Sequence, residues 1–336
     1  MKILFIHQGP HKVHAAFGES ITDKWFFYGN NRKSIIKTFL KSIIKNNEQF
    51  DVIFSEGGSG LPIAALKKLK NSRTKIILLN ADKFFYLISK TNPIKRLLMK
   101  FLLSFVDRII AISEMNKKLA SKYFDNSKIS VVHPFGVNVN FNINCPLDTT
   151  NILFIGDHRV FDKKFDNLVE AVKILNDKGW NFQLYLIGSC ADVINENYDW
   201  LHKIGYTERP EKYFSECSIY VHPADFDPCP VSVFETMAAG MIPIVTKCTG
   251  QADILKENGL DFLIMDNNRP STIASKIIEI YNKPLNWKKE ISMKCKDISR
   301  CFSEEKQVEK FRKIFNEIIE DLCELPLHDG RGFLFQ

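Results

Sequence analysis

One pattern repeats along the chain: a short, nearly unbroken apolar run, then a longer amphipathic stretch, then another run. In the first half, Ile3–His7, Val52–Ser55, Ile76–Leu79, Ile109–Ile112 and Ile129–Val132 are β-branched and scarcely alternate, which predicts strands buried on both faces. Helical periodicity fits Lys33–Ile44, Pro62–Lys70, Pro93–Phe105 and Glu114–Lys122 between them. The second half begins the pattern again. Strands are expected over Ile152–Ile155, Gln183–Ile187, Ile219–Val221, Ile242–Val245 and Phe262–Ile264, and helices over Asn167–Asp177, Pro210–Glu216, Val231–Ala239 and Ser271–Tyr281. A last amphipathic helix fits Ser303–Leu322, with Ser303 as N-cap and Glu304-Glu305 in its first turn.

This alternation predicts an α/β protein of two Rossmann-like, doubly wound units with parallel sheets. The polar stretch Asn142–Thr149, with Pro146 inside it, reads as their linker. We therefore expect one unit over 1–145, a second over 146–302, and a final helix and tail over 303–336 that crosses back to the first. Ligands of such folds bind at the carboxyl ends of the strands, so the units are expected to face each other across a cleft. Fold alone names no reaction.

A chain of 336 residues, 45% hydrophobic and 25% charged, can fill two cores of ordinary composition. Its charge is uneven. Residues 1–147 carry 23 Lys and Arg against 9 Asp and Glu, or +14, whereas residues 148–336 carry 23 against 30, or −7. A first half so basic is expected to meet something anionic: a phosphorylated substrate, a nucleic acid or a membrane surface. The eight cysteines form no C-x-x-C pair and no zinc spacing, which fits buried free thiols in a reducing cytosol. The apolar start Lys2-Ile3-Leu4-Phe5-Ile6 turns polar at His7-Gln8-Gly9, unlike a signal peptide, and no long uncharged apolar run predicts a membrane span. A cytoplasmic protein is expected.

The most informative segment runs from Val221 to Pro243 as strand, loop, helix, Gly, strand. Free N–H groups at the start of that helix make an anion site. Asp227 in the loop and Glu235 in the helix lie eight positions apart, close enough to face one ligand.

The segment resembles the signature of family 4 retaining glycosyltransferases of the GT-B fold. Glu235-Thr236-Met237-Ala238-Ala239-Gly240 with Pro243 matches that signature, and Asp227 stands at its first acid. Cys229-Pro230 replaces the usual Phe-Gly, and Thr246–Asp253 resembles the family's Gly-rich turn with a following acid. Ile155-Gly156-Asp157-His158-Arg159 with Lys163-Lys164 looks like the family's Arg and Lys that hold the donor diphosphate, although Lys164 replaces a usual Gly. Leu186-Ile187-Gly188 fits the next strand. Asp107–Ser113 and Val131–Asn138 resemble the last strand motifs of the first half.

The resemblance implies a GT-B enzyme whose first unit binds acceptor and whose second binds a UDP- or GDP-linked sugar. It implies hexosyl transfer with retention, to a glycan or lipid-linked acceptor, without metal or further cofactor. On this reading Arg159, Lys163, Gly188, Tyr206, Pro230, Val231, Ser232 and Glu235 hold the donor. Glu235 suits a ribose diol, and Pro230 itself has no N–H to give. Asp227 and Glu235 are expected at the reacting sugar. Many relatives carry a His after the third strand; here the place reads Leu79-Asn80-Ala81-Asp82, so Asn80 or Asp82 is expected to replace it.

Asp225-x-Asp227 is not read as a metal pair, because the fold around it is doubly wound. His7, His11 and His14 cluster after the first strand, where the cleft is expected. Gly9 and Gly18 form no dinucleotide fingerprint, and nucleic acid is not expected as a partner. Two other readings stay open: an inactive binder of sugar nucleotides or glycans, and a sugar-nucleotide epimerase, which would want paired acids or His for proton transfer. Finally, Lys33, Lys37, Lys41 and Lys45, with Lys95, Arg96 and Lys100, give the first half a chance to lie on the cytoplasmic membrane face. The apolar sides of the two helices that carry them are expected to pack on the sheet.

Overall fold

The computed structural model describes residues 1–29, 34, 37–38, 48–137, 139–158 and 162–324. The helix expected over Lys33–Ile44 lies outside this set except at 34, 37 and 38, and so does Arg159.

Two six-stranded sheets, every pairing parallel, form the two halves. The first comprises β1 (Ile3–His7), β2 (Trp25–Phe27), β3 (Val52–Glu56), β4 (Lys75–Asn80), β5 (Arg108–Ala111) and β6 (Ile129–Val131), in the order β2-β1-β3-β4-β5-β6. The second comprises β7 (Asn151–Ile155), β8 (Gln183–Ile187), β9 (Leu201–Gly205), β10 (Ile219–His222), β11 (Ile242–Thr246) and β12 (Ile264–Met265), in the order β12-β11-β10-β7-β8-β9. Both are doubly wound. The order reverses between β1 and β3 in one sheet and between β7 and β10 in the other, which opens a crevice at each reversal.

Ten of the twelve described strands overlap the apolar runs that predict them; β2 and β9 were not expected, and the run Phe262–Ile264 forms a 3-10 turn to Leu263 with β12 beginning at Ile264. In β4 and β11 all but one residue is buried, because helices cover both faces. The helices of the first half are α1 (Lys12–Glu19), α2 (Leu61–Lys70), α3 (Phe84–Lys90), α4 (Pro93–Leu103) and α5 (Glu114–Ala120). Those of the second are α6 (Phe165–Asp177), α7 (Glu211–Phe214), α8 (Val231–Ala238), α9 (Ala252–Glu257), α10 (Pro270–Tyr281), α11 (Leu285–Cys301) and α12 (Glu304–Glu324). In α4 the apolar stripe does not pack as expected. Met99 and Leu103 are buried, but Ile94, Leu97, Leu98 and Phe101 stand in solvent.

One apolar core runs through both halves. From α12, Phe311 stacks on Phe17 of α1, ring centroids 4.6 Å apart, and Phe311 and Phe315 both meet Phe54 of β3. The last helix therefore lies on the first sheet. Between the sheets, Lys296 of α11 donates to the carbonyls of Phe141 and Ile143 and to Asn144, fastening the connecting stretch.

Candidate active site

At the β7/β10 crevice, the stretch before α6 pairs with the loop after β10. Asp225 N–H donates to the Asp162 carbonyl, and Asp162 and Phe226 form an antiparallel bridge. That bridge sets Lys163 against Asp227. The Lys163 Nζ lies 2.9 Å from Asp227 Oδ2, with side-chain exposures of 10% and 3%. His222 Nε2 reaches the same oxygen at 3.1 Å. Burial alone would raise the Asp227 pKa, but Lys163 and His222 overcome it and hold the carboxyl down at about 2. Burial lowers the pKa of His222. Its Nδ1 meets the Tyr220 hydroxyl at 3.1 Å, and that hydroxyl meets Ser232 Oγ at 2.7 Å. A continuous polar chain therefore links Lys163 to the start of α8.

Helix α8 opens at Val231 behind Pro230, without a side-chain cap. Val233 N–H turns back to the Pro230 carbonyl, whereas the half-exposed Val231 and Ser232 precede the first full helical hydrogen bond and present N–H donors and the positive end of the helix dipole to the crevice. The preceding loop is tightly seated. Gln251 Nε2 donates to the Pro230 carbonyl, and a Cβ on Gly250 would meet the Pro228 carbonyl oxygen at 1.8 Å. The second turn of α8 carries Glu235, which is 6% exposed and whose Oε1 accepts from Val137 N–H of the first half.

The floor of the crevice is glycine for a steric reason. Gly188 has φ +99, and a Cβ there would meet the Gly156 carbonyl oxygen at 2.5 Å. Lys164 stands at the family's Gly position with φ 50, the one left-handed non-glycine among the described residues. Its amine pairs with Asp162 and Asp225 instead. Tyr206 follows β9 and is 84% exposed.

On the first half, the two residues expected to replace the His diverge. Asn80 is buried, and it exchanges hydrogen bonds with Asn116 of α5. Asp82 accepts from Gly58 N–H and Phe84 N–H, tying the turn after β3 to the start of α3. Burial and then Glu56 raise its pKa against those two donors. The group nearest the β1/β3 crevice is one that sequence reasoning half missed. His14 Nδ1 lies 2.7 Å from Glu56 Oε1, and Gln8 N–H reaches Glu56 Oε2. His14 was singled out only as part of a cluster, and Glu56 ends a strand with no motif around it. His11 instead caps α1 by accepting from Val13 N–H, and His7 accepts from Gly9 N–H.

The halves meet beside this site. Tyr86 of α3 stacks on Phe226 beside Asp227, centroids 4.3 Å apart and planes 12° apart. Lys83 feels the charges of Asp162 and Asp227 across the gap while burial lowers its pKa. Asp82 faces Glu56, so residues 82 and 83 bridge the two crevices. Neither Lys83 nor Tyr86 carries a signal in the sequence. Among the described residues, no group of His, Cys, Asp and Glu is gathered as a metal site.

Comparison with known proteins fits this geometry. Residues 149–283 match the family model of glycosyl transferases group 1. The chain is 26% identical over 263 residues to an uncharacterized glycosyltransferase of Methanocaldococcus jannaschii, spanning 76% of this chain and 72% of that protein. It is 24% identical over 201 residues to the N,N'-diacetylbacillosaminyl-diphospho-undecaprenol alpha-1,3-N-acetylgalactosaminyltransferase of Campylobacter jejuni, spanning 54% of this chain and 52% of that one. The structure of Anabaena HepE in complex with UDP-glucose superposes with a TM-score of 0.68 at 14% identity, covering 97% of this chain and all of that one. The protein is a glycosyltransferase of the GT-B fold. Its second half is a group 1 glycosyltransferase domain.

Proposed function

We propose that the enzyme moves a hexosyl group from a nucleoside diphosphate sugar to a hydroxyl of a glycan or lipid-linked acceptor, with retention of configuration and without metal. The observation that carries this reading is the Lys163–Asp227–His222–Tyr220–Ser232 chain running into the start of α8. It fixes one cation and a set of N–H donors around a space suited to a diphosphate. HepE, which binds UDP-glucose with the same fold, supports the donor class. The Campylobacter relative, named for a diphospho-undecaprenol-linked sugar, supports a lipid-linked acceptor.

In this mechanism the C1–O bond to the β-phosphate breaks as the acceptor oxygen bonds to C1 on the same face. The acceptor proton passes to the departing phosphate oxygen. Lys163, Arg159 and the N–H groups of Val231 and Ser232 stabilise the charge that grows there. Asp227 keeps Lys163 in place, and Glu235 accepts the ribose hydroxyls. Tyr206 offers its ring to the base from β9, two strand spacings or about 10 Å from β7. The His14–Glu56 pair orients the acceptor. The basic first half meets an anionic membrane face that carries such an acceptor.

A thermal-shift panel of UDP- and GDP-sugars identifies the donor, which raises the melting temperature by mass action. Product anomeric configuration by NMR, with and without EDTA, then tests the chemistry. An inverted product or loss of turnover in EDTA refutes this mechanism.

A further inference from the structure

The membrane reading leaves open which surface makes contact, and α4 answers it. Its 11 residues present Ile94 (83% exposed), Leu97 (71%), Leu98 (55%) and Phe101 (57%). The spacing of three and four places all four on one stripe, opposite Met99 and Leu103, which hold the helix to the body. Lys95 and Lys100 flank the stripe, one on each side, and both are exposed. Arg96 is turned inward, donating to the carbonyls of Ile88, Ser89 and Thr91, so it fixes α4 against α3. From Lys83 to Val106 there are five basic residues and no acid.

We infer that α4 is the element by which this enzyme docks on an anionic bilayer, lying in the interface with Ile94, Leu97, Leu98 and Phe101 in the acyl boundary and Lys95 and Lys100 at the headgroups. Four large apolar side chains aligned in water are costly to leave exposed, and a rim of lysines without acids matches an anionic headgroup layer. A second copy fits the surface poorly, because an isologous pair would set Lys95 and Lys100 against their own kind. At about 16 Å the helix is too short to span a bilayer, and among the described residues no helix is long and apolar enough to do so. The docking helix is joined through two residues, Thr91 and Asn92, to α3, whose Tyr86 stacks on Phe226 in the active-site loop. Docking therefore sets the mouth of the cleft at the depth of a lipid-linked hydroxyl.

This inference rests on the proposed membrane location, and the test separates the two. The intact protein, L97D/L98D and K95A/K100A are sedimented with vesicles containing phosphatidylglycerol and with pure phosphatidylcholine vesicles, at low and high salt. Wild type binds the anionic vesicles, L97D/L98D binds them at least about tenfold less, and each lysine removed costs about fivefold. The substituted side chains are exposed, so melting temperatures stay unchanged. Anionic-vesicle binding that survives L97D/L98D overturns the α4 assignment alone. No binding at low salt overturns both it and the membrane location. Equal binding to neutral vesicles, or a wild-type dimer that L97D/L98D dissociates, overturns the anionic bilayer as occupant.

Discussion

The two crevices are built from the same fold and treat charge in opposite ways. At β7/β10, Lys163 and Asp227 are sunk to 10% and 3% side-chain exposure and joined to two further buried groups. At β1/β3, His14 of α1 and Glu56 at the end of β3 remain at 16% and 14% and are not joined to a chain of further buried groups. A diphosphate is common to every sugar nucleotide, so a rigid, pre-formed cation serves it. A site at β1/β3 that must fit one particular hydroxyl is better made from groups that water still reaches and that can be exchanged without unsettling a core. If the proposed function holds, the contrast means that the second half serves a ligand part common to all donors and the first a part that varies.

The sharpest way to break this contrast is to remove the buried anion. Asp227→Ala leaves Lys163 and His222 without their shared partner, and we expect a loss of about 3 kcal/mol in denaturant unfolding together with abolished transfer. Stability within about 0.5 kcal/mol of wild type would mean that the pair is not the buried support described here. Next come Lys163→Ala and Glu235→Ala. Each should lower turnover at least about tenfold, as loss of charge-assisted contacts worth roughly 1.5–3 kcal/mol requires, and each should weaken donor binding measured by calorimetry. His14→Ala should leave donor binding intact while slowing transfer to acceptor. Equal donor affinities across these three variants would erase the distinction between the crevices.

A smaller effect tests the first half by pH. His133 is half-buried against Phe302, its Nδ1 has no hydrogen-bond partner among the described residues, and burial lowers its pKa from 6.5 to about 4. The unfolded chain takes up that proton first. Stability is thus complete above pH 6.5 and falls as pH drops toward 4, by about 1–2 kcal/mol between pH 7 and 5. His133→Phe should flatten that part of the curve, and an unchanged slope in urea titrations would assign the proton uptake elsewhere. The smallest effect concerns Lys164. Its left-handed backbone predicts that Lys164→Gly holds or raises stability by up to about 1 kcal/mol, whereas Lys164→Val loses about 1 kcal/mol or more. Equal melting temperatures for the two variants would remove any backbone strain at that position.

The uneven legibility of the sequence follows from the same contrast. Much of the β7/β10 crevice lies within one stretch, from Val221 to Asp253, where strand, tight loop and helix start impose Gly, Pro and acid at close spacing, and Lys163 joins it from the segment before α6. Such local constraints are visible in residues alone. The β1/β3 crevice is assembled from His14, Glu56 and Asp82, which are far apart in the chain and become neighbours only through sheet order. Asn80 shows the hazard of position without packing: it was expected in the cleft, but it bonds to Asn116 behind it. The interior strands matched their apolar runs. The edge strand β2 is three aromatic residues long, and β9 sets His202 and Lys203 side by side between Leu201 and Ile204, so neither reads as a buried run. Helix α11 was missed because its apolar positions, Ile291, Cys295 and Ile298, are sparse among charges. In α4 the periodicity was right and its partner was wrong, since a hydrophobic stripe does not say whether protein or something else covers it.

One feature of the chain path governs how the cleft can open. The backbone passes from the first half to the second near residues 139–150 and returns near 302–303, where α12 begins its course over α1. Phe302 at the return touches His133 at the outgoing end, and Lys296 grips the outgoing stretch itself. Two bodies tied by a single thread can swivel freely. Tied at two neighbouring pins, they have in the main one axis left to turn about, and a closure about that axis would bring Tyr86 onto Phe226 as they stack here. Cutting the chain at either pin would leave both halves folded and attached, yet free to shut askew.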